Sequence, residues 1–203
     1  GVVEGKVELI QKARSDYPED NNLIIEELNY YIESGNKQKA INNLIGAISR
    51  DPSNYNLYYA LGAIYDETGD FENSKAAYEQ ALNIIRPDYL SKLEQYKEGG
   101  KDNNITKDVI DRIHDLHFNI LYNFGALYFN EGVKRIQAIN SITNNAKYIQ
   151  EKKEAEKVMV LALPYLEEAL EFKPRDRNTM TSLRDLYART DDQENWKEMQ
   201  EML

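Results

Sequence analysis

Apolar residues recur along this chain at three- and four-residue intervals, the spacing of one helix face. From Leu57 to Tyr65 the pattern runs without a proline and predicts a helix. Gly69-Asp70 follows as a helix stop and turn. A second run with the same period, Ser74 to Ile85, is expected to end at Pro87, whose ring and missing N–H disfavour continuation. The unit is helix, tight turn, helix, loop. It also repeats. Ala13, Ala47 and Ala81 are each 34 residues apart, and Pro18 with Pro52 and Gly35 with Gly69 share that step. A period of this size marks stacked repeats, in which each helix pair buries its apolar face only against its neighbours.

A third copy emerges once insertions are allowed. Gly62, Tyr65 and Gly69 reappear with the same spacing as Gly125, Tyr128 and Gly132, while Tyr59 matches Tyr122 and Ala63 matches Ala126. Ala162, Leu166, Ala169 and Pro174 reproduce the offsets of Ala40, Leu44, Ala47 and Pro52. Relative to the standard step, 29 extra residues precede this third turn and 25 follow it. The insertions read as helix extensions. Thr106 is placed to cap a helix from Lys107 through Gly132 toward Asn140, with Val109, Ile110, Ile113, His117, Ile120 and Leu121 on one stripe. Asn144-Asn145 breaks the run, and a further helical stretch from Tyr148 to Phe172 contains Pro164, which should kink or break it. Residues 98–104 read as a polar loop. A last helix from about Asn178 to Ala188 is paired with Glu194 to Leu203.

These residues resemble the tetratricopeptide repeat (TPR), with Gly62, Tyr65, Ser74, Ala81 and Leu82 in one unit and Tyr31, Ala40, Leu44, Ala47 and Pro52 in another. Leu28, Arg184, Lys6 and Trp196 depart from the small residues of the motif, and Pro87 falls one place late. The longer pattern looks like a group of mostly uncharacterised bacterial TPR proteins with an expanded repeat. The resemblance implies an all-α, TPR-like right-handed superhelix of antiparallel helix pairs, one pair with extended helices. It divides 1–203, as a single repeat domain, into a half repeat (1–20), standard repeats (21–54 and 55–87), an expanded repeat (104–177) and a terminal pair (178–203). Packing explains the small residues: paired helices approach to about 8–10 Å only where contact residues are small. Gly62 is therefore expected to face Ser74 or Ala81. Val7 to Ala13 with Pro18 reads as the second helix of a repeat whose first is missing. A fragment is thus expected, with Gly1 a cloning scar, and periplasmic and cytoplasmic locations both stay open.

Composition narrows the chemistry. The 35 acidic against 25 basic residues give a net charge of −10, which argues against nucleic acid as partner. The longest aliphatic run, Val158 to Leu163, is far short of a membrane span. With no cysteine, thiolate catalysis and thiolate metal sites are excluded. Asp111, His114 and His117 lie three apart on one helix, but such positions sweep about 120° and converge poorly on a metal, so solvent or interhelix packing is the expected role of both histidines. No Ser-His-Asp set, phosphate loop or H-E-x-x-H motif is present. The expectation is a protein without catalytic residues, metal or cofactor.

The resemblance implies a concave groove lined by the first helix of each pair. Its residues here are Asn22, Ile25, Asn29, Ile32 and Glu33, then Asn56, Tyr59, Ala63, Asp66 and Glu67. The third unit contributes Asn119, Tyr122, Ala126, Phe129 and Asn130, and the fourth Asn178, Thr181, Asp185, Ala188 and Arg189. Asparagine recurs at the second position of every unit. Helix capping is the plainer account of it; an amide ladder for an extended peptide is the other. Ile25, Tyr59 and Tyr122 stand where TPR clamps for acidic chaperone tails place other residues, and acids outnumber bases in this groove. A protein or peptide that is neutral or basic and partly apolar fits better, with Tyr59, Tyr122 and Phe129 as anchors. The alternative is a structural module whose groove is filled by its own long helices or by a second copy, as in a homodimer.

Overall fold

The computed structural model describes residues 33–99 and 105–203, and before these residues 5, 8–10, 12, 13, 16, 17, 23, 26, 27, 30 and 31. Gly1, Lys6, Val7, Pro18, Asn22, Ile25, Leu28, Asn29, Ile32 and residues 100–104, to which expectations were attached, lie outside them. Among the described residues the regular structure is all helical: α1 (Lys37–Arg50), α2 (Tyr55–Glu67), α3 (Phe71–Glu98), α4 (Lys107–Ala138), α5 (Asn145–Val160), α6 (Leu163–Phe172), α7 (Arg177–Arg189) and α8 (Gln193–Met202). A single 3-10 turn, Ile139–Ser141, follows α4. The chain forms two compact units, Gly1–Ile84 and Ile85–Leu203, whose boundary falls inside α3.

In the first unit, α1 begins at Asn36, whose side chain accepts from the Lys39 N–H, and α2 begins at Asn54, which accepts from the Asn56 N–H. Such caps satisfy backbone donors that a helix start leaves unpaired. Gly35 and Gly69 take left-handed φ values of 71° and 75°, as the expected turns require. Ala40, Ile41, Leu44 and Ala47 of α1 join Tyr31 and Leu57, Leu61, Ile64 and Ala77 in one core. Lys37 reaches Glu67 at 3.1 Å across the α1–α2 pair. Gly62 meets α3 closely: a Cβ there would lie 2.7 Å from the Tyr78 ring. Ser74 sits in the same seam and donates its Oγ–H to the Gly62 carbonyl at 2.8 Å. The expected partner Ser74 is thus confirmed, while the ring of Tyr78, rather than Ala81, covers the glycine.

In the second unit, α4 is the central element and packs on α5, α6 and α7. Thr106 caps it, accepting from the Val109 N–H. Gly125 faces Leu166 and Ala162, and Gly132 faces Met159 and Ala155, so partner numbers fall as those on α4 rise, the order of an antiparallel approach. Gly132 therefore lies in a helix seam inside α4, and its expected equivalence to the turn glycine Gly69 is corrected. Asn144 caps α5 by accepting from the Lys147 N–H. The helix expected across Tyr148–Phe172 breaks at Leu161-Ala162, with Pro164 in the first turn of α6, where its missing N–H costs nothing. Asp176 and Asp192 cap α7 and α8.

Pro87 does not end its helix. α3 runs on to Glu98, and tertiary contacts account for it. Beyond the proline, Tyr89 packs its ring against His117 at 5.8 Å, Phe172 at 5.7 Å and His114 at 6.1 Å. Arg86 makes a forked pair with Glu168, its Nε lying 3.3 Å from Oε1. Lys92 pairs with Asp88 one turn back at 2.7 Å. These interactions offset the local cost of about 3 kcal/mol that proline imposes on a helix interior.

Candidate functional site

Each unit carries one candidate face, on α2 in the first and on α4 in the second, made of side chains outside that helix's buried stripe. On α2, Leu57, Leu61 and Ile64 are buried. Asn56, Tyr59, Ala63 and Asp66, at helical spacing, occupy another side: Asn56 is exposed and the other three are half-buried. Tyr59 leans on Tyr78, with centroids 6.1 Å apart. Burial, with the Glu67 carboxylate adding to it, raises the Asp66 pKa above the ordinary value. Lys37 pairs with Glu67, and no cation pairs with Asp66 among the described residues. A half-buried carboxylate beside another carboxylate is a place where a ligand cation gains most.

On α4, Ile120, Leu121, Phe124, Leu127 and Tyr128 are buried. Asn119 and Asn130 are exposed, and Tyr122, Ala126 and Phe129 are half-buried. Tyr122 stacks on Phe118 at 6.1 Å and 17°. Its phenol pKa is raised by burial and then by the nearby Asp176 carboxylate. Lys173 closes this end of the face, 4.3 Å over the Phe118 ring and 3.0 Å from Asp115. A cavity of about 510 Å³ is lined there by Lys173, Pro174, Arg175 and Asp176. On α7, Asn178, Thr181, Ala188 and Arg189 are exposed, and Asp185 is held by Arg184 at 2.9 Å.

Of the repeated asparagines, the described ones, Asn56, Asn119 and Asn178, are not the caps. In α2 the cap is Asn54, and the Asn56 amide donates to Asn54 Oδ1 at 3.1 Å. In α7 the cap is Asp176, two residues before Asn178. Asn119 lies in the interior of α4. The capping account is thus replaced by exposed amides at or near the start of the face. Lys173, Arg175 and Asp176 are the addition that sequence spacing missed. They follow the end of α6, and nothing local marks them as neighbours of Phe118 and Tyr122.

His117 belongs to the core. It is 3% exposed, its ring lies 4.4 Å from Phe172, and neither ring nitrogen has a hydrogen-bond partner. Burial lowers its pKa to about 4, with Glu168 opposing and Arg86 and His114 assisting the drop. Interhelix packing, the expected default, is what the structure shows. Among the described residues no group of three or more His, Asp or Glu is arranged to hold a metal. No described helix is long and apolar enough to cross a membrane. What the two faces offer is aromatic surface, exposed amides and an unpaired carboxylate.

Residues 55–88 match the tetratricopeptide repeat family model. The chain thus carries a tetratricopeptide repeat at these residues. No curated protein matches it. Among solved structures it is similar to the "Assembly Chaperone of RpL4 (Acl4)", with 16% identity, a TM-score of 0.65, and coverage of 98% of this chain and 69% of that one. It is also similar to MamA, with 13% identity, a TM-score of 0.56, and coverage of 98% and 88%. A third, YrrB, described as a TPR protein with an unusual peptide-binding site, has 20% identity over 97% of this chain and 91% of that one, at a TM-score of only 0.37. The likenesses to the assembly chaperone and to MamA show an all-α, TPR-like fold.

Proposed function

We propose that this protein is a non-catalytic interaction scaffold that binds peptide or protein segments on the α2 face of its first unit and on the α4 face of its second. The observation that carries the reading is Asp66, a half-buried carboxylate with no cation, seven residues along the same face from Tyr59. An acidic ligand is disfavoured beside Asp66 and Glu67. A neutral or basic, partly apolar segment gains an ion pair at Asp66 and aromatic contact at Tyr59 on the α2 face, or aromatic contact at Tyr122 and Phe129 on the α4 face. Asn56, Asn119 and Asn130 supply amides for its backbone. Asn22, Ile25 and Asn29 remain part of the proposed lining by the spacing of the repeat. A micromolar affinity, about −8 kcal/mol, is expected for one short segment.

The test is display selection of random peptides on the wild type, followed by titration calorimetry of those enriched. Basic peptides carrying apolar residues should emerge, and Tyr59→Ala or Tyr122→Ala should weaken them by about tenfold or more. Peptides bound equally by wild type and both variants would remove these faces as the site. Enrichment of acidic sequences would overturn the charge argument.

A further inference from the structure

The end of the α4–α5 hairpin carries a charge opposite to that of the chain. Residues 133–153 contain Lys134, Arg135, Lys147, Lys152 and Lys153 against Glu151 alone, in a protein of net charge −10. Arg135 is turned to Glu131 at 2.7 Å and Lys152 to Glu156 at 3.7 Å, both further down the hairpin. Lys134, Lys147 and Lys153 are exposed, and no ion pair engages them among the described residues. Ile149, three and four residues before Lys152 and Lys153 on α5, is 57% exposed. The hairpin end is therefore basic and partly apolar.

The first unit presents the complement. From Tyr55 to Ser74 there are four carboxylates, Asp66, Glu67, Asp70 and Glu72, and no cation. Lys37 of α1 answers Glu67, and Asp70 is engaged by Asn73, whose backbone N–H and side-chain amide both donate to it. Asp66 and Glu72 have no cationic partner among the described residues. Asp66 shares its face with Tyr59, an apolar surface next to unneutralised charge.

We propose that the α4–α5 hairpin end of one copy docks on the α2 face of a second copy. The inference rests on the reading of that face as a binding surface and names its occupant: a basic, partly apolar segment present in the chain itself. Lysines of the hairpin end meet Asp66, Glu67 and Glu72, and Ile149 meets the apolar surface around Tyr59. The two surfaces differ, so the contact is head-to-tail. Each bound pair keeps one unfilled surface of each kind, and assembly continues unless a ring closes. An anionic bilayer is the weaker occupant, because one exposed isoleucine is a small apolar face for insertion, whereas the chain's own corner matches both charge and apolar character.

Sedimentation velocity across a concentration series tests this at about 50 mM and about 500 mM salt, where screening lengths differ roughly threefold. At low salt the wild type should grow in mass with concentration, and at high salt association should weaken by about tenfold or more. Lys134→Glu/Lys147→Glu/Lys153→Glu should stay monomeric, as should Asp66→Lys/Glu67→Lys/Glu72→Lys. An equimolar mixture of these two variants should associate again, because the reversed charges match. Circular dichroism melts check that both variants fold; the mixture is decisive, since misfolded chains would not rescue each other. A monomeric wild type at low salt, or association unaffected by the hairpin substitutions, overturns the proposal. So does a monomeric wild type that binds phosphatidylserine vesicles through the hairpin lysines. Peptide binding that depends on Tyr59 without any self-association would leave the scaffold reading standing and remove this one alone.

Discussion

Replacing Gly132 by alanine isolates the close approach between α4 and α5. A methyl at this position would sit 2.6 Å from Met159 Cβ, 3.0 Å from the Ala155 carbonyl oxygen and 3.0 Å from Met159 Cα. Comfortable carbon contacts lie near 3.5–4.0 Å, so about 1 Å must be found. Two of the three obstacles are backbone and the third is a Cβ, so no rotamer change makes room. α4 and α5 have to move apart, and overpacking of this kind costs roughly 1–3 kcal/mol. Alanine recovers about 1 kcal/mol through helix propensity, and because backbone must move the cost lies in the upper half of that range, leaving a net loss on the order of 1–2 kcal/mol. At roughly 2–4 °C per kcal/mol for a chain of this size, the melting temperature should fall by about 2–8 °C. Gly46→Ala is the matched control. It lies inside α1, where the nearest atom to a new Cβ is Arg50 Nη1 at 3.8 Å, and it should gain roughly 0.5–1 kcal/mol. Because the chain has two units, the melt of Gly132→Ala is read both by circular dichroism and by the fluorescence of Trp196, the single tryptophan, which lies in the second unit. A Gly132→Ala protein melting at or above wild type would refute the seam argument.

His117 makes stability depend on acid. Its folded-state pKa of about 4 lies below the unfolded value of 6.5, so between these values the unfolded chain binds the extra proton. Its contribution is present above about pH 6.5 and is lost as pH falls toward 4, up to roughly 3 kcal/mol. Denaturant titrations of wild type and His117→Leu at pH 7.5 and pH 4.5 (about three and a half and half a unit above the folded pKa) should show the gap between them shift in favour of the variant at the lower pH; an unchanged gap would contradict the burial argument. Ser74→Ala removes the buried hydroxyl that donates to the Gly62 carbonyl. It should cost about 1 kcal/mol in urea unfolding, and no measurable loss would mean that the hydrogen bond adds nothing to the seam.

Much of the architecture was legible because its signals are local. The left-handed turns need glycine at 35 and 69, the start of α4 needs an acceptor such as Thr106, and Pro164 cannot sit inside a helix without a lost bond. The misreadings came where a local preference met a tertiary contact. Pro87 reads as a stop, yet Tyr89, Arg86 and Lys92 carry α3 past it. Gly132 matches a turn glycine in spacing, but its missing side chain serves Met159 and Ala155 on a neighbouring helix. Asn56 has the composition of a cap, and Asn54 does the capping because the chain enters the helix one residue before Asn56.

The candidate faces divide in the same way. Helical spacing alone puts Tyr59 with Ala63 and Asp66, and Tyr122 with Ala126 and Phe129, since residues on one helix face are set by its pitch. Which of those side chains is half-buried, which lacks a counter-ion, and that Lys173 and Asp176 stand beside Phe118 and Tyr122, depend on elements distant in sequence. The repeat period and its small residues determined that this chain would be paired helices, because a helix buries an apolar stripe only where a partner can approach. Only the tertiary structure decided which partner did so at each glycine and where charge remained unanswered, because electrostatics and close contact act through space and leave no trace in spacing.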